Sequence, residues 1–251
     1  MSTRRRRLWL CAAAILFLAD IFLHLPITDF CDGLVKRFGF LPFDATVRRG
    51  FIALGAVSLC GAWTWRKPQR TIAAPAMLGL LAISIAAQAT IVLNAIEDVH
   101  YPQYALMAVT LAPALPTLEA AWLGATGLGA VDELYQFLEL PRGTPSYFDW
   151  NDVVLNAIGA AFGIAIAILL WRRTADRMVS TRVVIAAAAI AVGVLAWAPP
   201  AAPFYTMTPG GRRFHKMAAS EAIVTLVALW AGVRYLAARR AGGPSPTAPA
   251  T

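Results

Sequence analysis

Residues 131–159 read VDELYQFLELPRGTPSYFDWNDVVLNAIG and join two strongly apolar segments of the chain. This stretch nevertheless carries three Asp, two Glu and one Arg. A charged side chain inside a bilayer costs about 2.5–3.5 kcal/mol on insertion scales unless it faces protein or water. The stretch therefore raises two questions: what kind of chain surrounds it, and what its charges face.

The composition of the whole chain answers the first question. Of its 251 residues, 59% are apolar and only 14% are charged, and the mean hydropathy is positive. Ordinary soluble domains do not have such a composition. The net charge of +8 comes from short Lys and Arg clusters between apolar runs, whereas nucleic-acid-binding proteins gather basic residues along one face. The sequence thus predicts a membrane protein without a nucleic-acid partner.

The apolar segments predict the fold class, because a membrane-spanning helix needs about 20 apolar residues. We expect an all-α, polytopic transmembrane helix bundle of about eight spans, with seven as the alternative. The predicted spans are 8–25, 48–65, 71–93, 101–116, 117–138, 152–171, 183–198 and 217–237. Lys and Arg are more frequent in the segments on the amino-terminal side of the membrane. By the positive-inside rule, this predicts a multi-pass protein of the inner (plasma) membrane with both termini in the cytoplasm.

A second polar segment, NAIEDVHYPQYAL at 94–106, enters the fourth predicted span at the same outer membrane face. On a continuous helix, Glu97, His100 and Tyr104 share one face. In the fifth span, Asp132 and Gln136 are one turn apart. We therefore expect consecutive helices to bring these polar groups to one membrane depth.

The start of the sixth predicted span completes the polar set. Asp149, Asp152 and Asn156 step along one face of its first turns, and Gly159 and Gly163 continue the same row. Small residues at four-residue spacing allow close helix packing, which is the role predicted for the two glycines.

Three segments, EDVHYPQYAL, DELYQFLELPRG and FDWNDVVLNAIGAAFG, resemble in order the three motifs of the VanZ-like family. That pattern has a Glu or Lys with His and Tyr at a helix start, a D-E-x-x-Q element followed by an Arg, and D-x-x-x-N-x-x-G-x-x-x-G. The matching residues are Glu97, His100, Tyr104, Asp132, Glu133, Gln136, Arg142, Asp152, Asn156, Gly159 and Gly163. The family's namesake is linked to low-level resistance to the glycopeptide teicoplanin.

The resemblance also divides the chain. It implies a VanZ-like core at residues 94–171, with amino-terminal transmembrane helices expected at 1–93. Carboxy-terminal transmembrane helices follow at 172–240, and the Pro, Gly and Ala-rich tail at 241–251 is predicted to be disordered.

The polar set has candidate chemical roles. His100 suits a general acid or base, with Glu97, Glu133 and Asp132 as the other candidate catalytic residues. The candidate ligand-binding residues are Arg142, Gln136, Tyr104, Asp149, Asp152 and Asn156. His100 also suits a divalent metal with carboxylates as co-ligands. No paired-His or H-E-x-x-H spacing supports that alternative, so the sequence assigns no metal site, and any cofactor is unknown.

Two functions follow from these roles. The first is recognition or modification of a membrane lipid or lipid-linked envelope or cell-wall precursor, with Arg142 binding its anion. The resemblance adds a link to glycopeptide resistance. The alternative is a non-enzymatic membrane scaffold or accessory protein whose polar residues only fix helix register. The sequence leaves open whether any reaction is catalysed.

Overall fold

The computed structural model describes residues 2–64, 67–139, 148–171, 204–207 and 213–241. Its helices are α1 (Thr3–Phe38), α2 (Phe40–Thr64), α3 (Lys67–Thr90), a 3₁₀ helix (Ala95–Val99), α4 (His100–Leu111), α5 (Leu118–Glu139), α6 (Trp150–Leu170) and α7 (Ala219–Ala241). Strands β1 (Phe204–Met207) and β2 (Arg213–Lys216) pair as a small antiparallel ribbon, with Phe204 opposite Lys216. The predicted all-α class is confirmed, because this ribbon is small beside the helices.

Four of the described helical segments are long and apolar enough to cross a membrane: Thr3–Phe38, Thr71–Thr90, Trp150–Leu170 and Ala219–Ala237. They correspond to the first, third, sixth and last predicted spans. The predicted span 183–198 lies outside the described residues. Helix α4 has 12 residues and is about 18 Å long, shorter than the roughly 30 Å hydrocarbon layer. The structure therefore supports a multi-helix membrane protein and four of the predicted spans.

Helix α1 is longer than the predicted span 8–25. Its 36 residues extend about 54 Å, well beyond the thickness of a hydrocarbon layer. It ends at Gly39, whose φ of 86° lies in the left-handed region that glycine adopts without strain. The Gly39 N–H donates to the Val35 carbonyl at 2.8 Å, and Lys36 and Arg37 favour the negative end of the helix dipole. The chain thus turns directly from α1 into α2.

Helix α6 lies at the centre of the bundle and packs against α3, α4, α5 and α7. Two glycines on α6 explain how closely it approaches α4. A Cβ at Gly159 would come within 2.7 Å of the His100 and Tyr101 carbonyl oxygens, and one at Gly163 would overlap the Ala105 backbone. This is the packing role that the sequence predicted for the glycine row.

Two tryptophans join α5 to its neighbours. The Trp122 indole N–H donates to the Ala157 carbonyl of α6 at 2.9 Å. On the other side, the Trp230 indole N–H of α7 donates to Glu119 Oε1 at 2.7 Å. Because these bonds fix α5 on both sides, they also fix the position of the carboxylates near its carboxyl end.

Candidate functional site

Three side chains from three helices meet in what we call the His100 cluster: His100, Glu133 and Asp152. His100 is the first residue of α4, Glu133 lies in the last two turns of α5, and Asp152 lies in the first turn of α6. The His100 Nε2 to Asp152 Oδ2 distance is 3.7 Å, and one ligand atom from each of the three lies within 4.8 Å of the others. His100 and Glu133 are buried. The structure therefore brings together residues from all three predicted motifs.

Asp132, beside the cluster, is held by two donors. Gln136 Nε2 donates to Asp132 Oδ2 at 3.1 Å and to Glu133 Oε1 at 3.2 Å. The Tyr104 hydroxyl donates to the same Asp132 oxygen at 3.4 Å. Only 1% of Asp132 is exposed, and its Oδ1 has no hydrogen-bond partner in the described part of the chain. One carboxylate oxygen is thus fixed, while the other has no donor among the described residues.

A cavity of about 720 Å³ opens beside these groups, between α1, the 3₁₀ helix, α4, α5 and the start of α6. His100, Asp132 and Asp152 line it. Its lining carboxylates are Asp20, Asp32, Glu97, Asp132, Glu139, Asp149 and Asp152. No Lys or Arg of the described segments lines this cavity. The site is consequently acidic and suits a cation, a proton or hydrogen-bond donors.

Glu97 differs from its prediction. It lies in the 3₁₀ helix, outside the membrane-spanning helices, and the α-helical face begins only at His100. Its carboxylate accepts from the Leu93 N–H at 2.8 Å and from Asn94 Nδ2 at 3.4 Å. Burial, and then the negative charge of Asp149, raises the pKa of Glu97 to about 8. Glu97 still lines the cavity, but these two hydrogen bonds hold the turn before α4 together.

Asp149 and its neighbours form a second polar group, the Asn151 cluster, defined as Asp149, Asn151 and Lys216. Asp149 caps α6 by accepting from the Asn151 N–H at 3.0 Å, and it forms an ion pair with buried Lys216. Asn151 Nδ2 donates to the Ile91 and His215 carbonyls at 2.8 and 3.0 Å, and its Oδ1 accepts from the Met217 N–H at 2.9 Å. This cluster joins the start of α6 to the segments after α3 and β2.

Two further predicted ligand-binding residues have different outcomes. Asn156 is fully buried one turn deeper than Asp152, and among the described residues neither of its side-chain polar atoms has a partner. It packs against Gly129, where an added Cβ would come within 2.8 Å of Asn156 Nδ2. Arg142, the predicted anion ligand, lies outside the described residues.

Sequence reasoning missed Asp20, Asn151 and Lys216. Asp20 of α1 lines the cavity and lies within hydrogen-bonding reach of Tyr104. A lone carboxylate inside the first apolar run was a usable signal, because such a residue normally faces protein or water. Asn151 and Lys216 gave no comparable signal, because each contacts a residue more than 60 positions away in the chain. Asn151 bonds Met217, and Lys216 pairs with Asp149.

No family model, no curated protein and no solved structure matches this chain. Two carboxylates beside an imidazole at the wall of an acidic cavity are able to exchange protons or to ligate a cation.

Proposed function

We propose that this chain is a multi-pass inner-membrane protein of the VanZ-like family whose acidic cavity recognises the headgroup of an envelope lipid or lipid-linked cell-wall precursor. The observation that carries this proposal is the polar cavity itself. Its volume of about 720 Å³ falls within the range of roughly 300–1,000 Å³ typical of small-molecule sites. A link to glycopeptide resistance is part of the proposal and rests on the motif resemblance.

The wall contributed by α1 favours a lipid over a freely soluble ligand. Leu23, Leu25 and Ile27 of α1 line the cavity and are about half exposed. Such a surface faces acyl chains in a bilayer, because lipid-exposed helix faces are apolar. A lipid is thus able to place its headgroup against the carboxylates while its chains remain beside α1.

The polar groups divide the task of recognition. His100 beside Asp152 offers a proton donor or acceptor at the cavity wall, while Gln136 and Tyr104 orient Asp132. Hydrogen-bond donors on the ligand, such as the amines and hydroxyls of peptidyl or sugar headgroups, complement this acidic wall. We keep Arg142 in the proposal as the group for a phosphate of the same ligand.

We propose about eight spans in all. They are the four long apolar helices, the helices α2, α4 and α5, and the span that the sequence predicts at 183–198. A short helix such as α4 is tolerated at membrane depth where the adjoining irregular backbone is covered by protein or lines a cavity. The connection between α3 and α4 fits that requirement, since Asn94, Glu97 and His100 all line the cavity.

Native mass spectrometry of the full chain, purified in mild detergent, tests this proposal. We expect wild type to retain a lipid or lipid-linked precursor, and Asp132→Asn to lose it while thermal unfolding stays within a few degrees of wild type. Glu119→Gln is the matched control, because Glu119 is a buried carboxyl of the same helix that bonds Trp230 away from the cavity. If every form is free of lipid and Asp132→Asn simply unfolds earlier, the scaffold alternative replaces this proposal.

A further inference from the structure

We propose that His100, Glu133 and Asp152 bind one divalent transition-metal ion, with Zn²⁺ or Mn²⁺ as the expected class. This inference goes beyond the proposed function, because metal binding by the cluster does not require a lipid ligand. Four independent features of the described residues lead to it: ligand spacing, donor chemistry, the support of the ligands and the charge of the cavity.

The first feature is the spacing of the ligand atoms. Zn²⁺ and Mn²⁺ bind nitrogen and oxygen ligands at about 2.0–2.2 Å, which holds neighbouring ligand atoms roughly 3.0–3.5 Å apart. In the cluster, the His100 and Asp152 atoms are 3.7 Å apart, and all three ligand atoms lie within 4.8 Å of one another. Small side-chain rotations are sufficient to bring the three onto a single ion.

The second feature is the donor set. Neutral imidazole and carboxylates favour Zn²⁺ and Mn²⁺ over Ca²⁺ or Mg²⁺, which prefer oxygen ligands alone. The three residues come from α4, α5 and α6, which are fixed against one another by the glycine contacts and by the Trp122 hydrogen bond. His100 and Asp152 line the cavity, and a site with three protein ligands keeps one or more coordination positions open to a water or substrate atom.

The third feature is the support around the ligands. Gln136 donates to Glu133 Oε1 at 3.2 Å and so fixes the orientation of that carboxylate, as hydrogen bonds to metal-ligating groups commonly do. The same amide donates to Asp132, whose buried Oδ1 has no partner among the described residues and whose side chain lines the cavity. A metal-bound water is a natural donor for that oxygen.

The fourth feature is charge. The described lining of the cavity holds seven carboxyl groups without a Lys or Arg, and Lys216 from outside the lining pairs with only one of them, Asp149. Like charges confined together are costly. A divalent ion bound to Glu133 and Asp152 balances the charge of Asp152 in the lining and that of buried Glu133 beside it. The competing arrangement is a protonated His100 between two carboxylates. That arrangement leaves buried Asp132 Oδ1 without a donor among the described residues, whereas a metal-bound water supplies one.

Metal analysis of full-length protein purified without a polyhistidine tag tests the inference. After treatment with EDTA, wild type is titrated with ZnCl₂ and separately with MnCl₂ by calorimetry. We expect one equivalent per chain to bind with at least micromolar affinity, and Glu133→Gln and Asp152→Asn to weaken binding at least tenfold. Two control variants should retain wild-type affinity for the metal. Glu119→Gln changes a carboxyl on the same helix as Glu133, and His215→Ala removes an imidazole that pairs with Glu221.

X-ray absorption of zinc-loaded wild type gives a readout that does not depend on how well the variants fold. We expect nitrogen and oxygen ligation with the scattering signature of one imidazole. The inference is overturned if stripped wild type binds neither ion, if both cluster variants bind as tightly as wild type, or if the spectrum shows sulfur ligands or several imidazoles. Wild type that binds metal but carries no co-purifying lipid would count against the proposed function alone.

Discussion

The Asn151 cluster and the His100 cluster lie at the same end of the bundle, yet their polar groups are satisfied differently. Both side-chain polar atoms of Asn151 are used by three backbone groups from distant segments. In and beside the His100 cluster, polar groups from three helices face a cavity, and Asp132 Oδ1 has no donor in the described part of the chain.

This difference separates two uses of buried polarity. A buried amide whose bonds all go to backbone stabilises one arrangement of helices, and its loss leaves backbone groups unsatisfied. A buried carboxylate that is half satisfied by protein donors and faces a cavity costs free energy unless a ligand supplies the missing donor. We therefore assign structure to the Asn151 cluster and function to the His100 cluster.

The largest expected effect is that of Asn151→Ala. This change leaves the Ile91 and His215 carbonyls and the Met217 N–H without their partner, so we expect the free energy of unfolding to fall by about 3 kcal/mol. Equilibrium unfolding in mixed detergent micelles measures the loss. A change below about 1 kcal/mol would show that water replaces the amide easily and would remove the basis for calling this cluster structural.

A smaller loss is expected for Gly159→Ala, which tests whether helix packing positions the His100 cluster. The new methyl group would meet the His100 and Tyr101 carbonyls, so α4 must move away from α6, at a cost of about 2 kcal/mol. Because His100 moves with α4, metal affinity should fall as well. Gly127→Ala is the control, because nothing lies within 4 Å of the added Cβ. Alanine favours a helix over glycine by about 1 kcal/mol, so this variant should be at least as stable as wild type. Equal unfolding energies for the two variants would contradict this account.

The features predictable from sequence were those with a local pattern. Apolar runs predicted helices, and carboxylates inside apolar segments indicated the site. Four-residue glycine spacing predicted close packing of α6, although it did not identify α4 as the partner. Motif order placed His100, Glu133 and Asp152 on consecutive helices, although it did not single out these three as a set.

Other features were not predictable because they depend on distant contacts. Asn151 acquires its role from backbone groups near Ile91 and Met217, far away in the chain. The 3₁₀ helix interrupts the expected face of Glu97 because Asn94 caps it, accepting from the Ile96 N–H at 3.0 Å. Asp20 enters the cavity only because α1 packs against α4 and α5.

Glu97 is related to both clusters, and its effect on stability should depend on pH. It lines the same cavity as His100, and the charges of Asp149 and Lys216 act on its pKa. The folded protein raises its pKa from 4.5 to about 8, so folding favours the protonated form. Its contribution to stability is therefore complete below pH 4.5 and is lost as pH rises toward 8. We expect the free energy of unfolding to fall across this window in wild type and to vary less in Glu97→Gln. The nearby charges of Asp98, Asp149 and Lys216 are unchanged in that variant.

Unfolding measured from pH 5 to pH 9 gives both profiles. Glu139→Gln removes another carboxyl from the same cavity and is the matched control, because Glu139 is exposed. If Glu97→Gln keeps the full wild-type slope, the pH dependence comes from other groups, and Glu97 belongs with the satisfied, structural residues.

The smallest effect is expected for Asn156→Ala, which is matched to Asn151→Ala in residue type, helix and burial. Neither side-chain polar atom of Asn156 has a partner in the described part of the chain, so removing both should change stability by less than about 0.5 kcal/mol or increase it. Suppose instead that the free energy of unfolding falls as much as in Asn151→Ala. Asn156 would then have hydrogen-bond partners in solution, and the number of partners would not distinguish the two clusters. If stability is unchanged while metal or lipid binding falls, Asn156 supports the site from the turn beneath Asp152, and the buried amide is retained for binding rather than for folding.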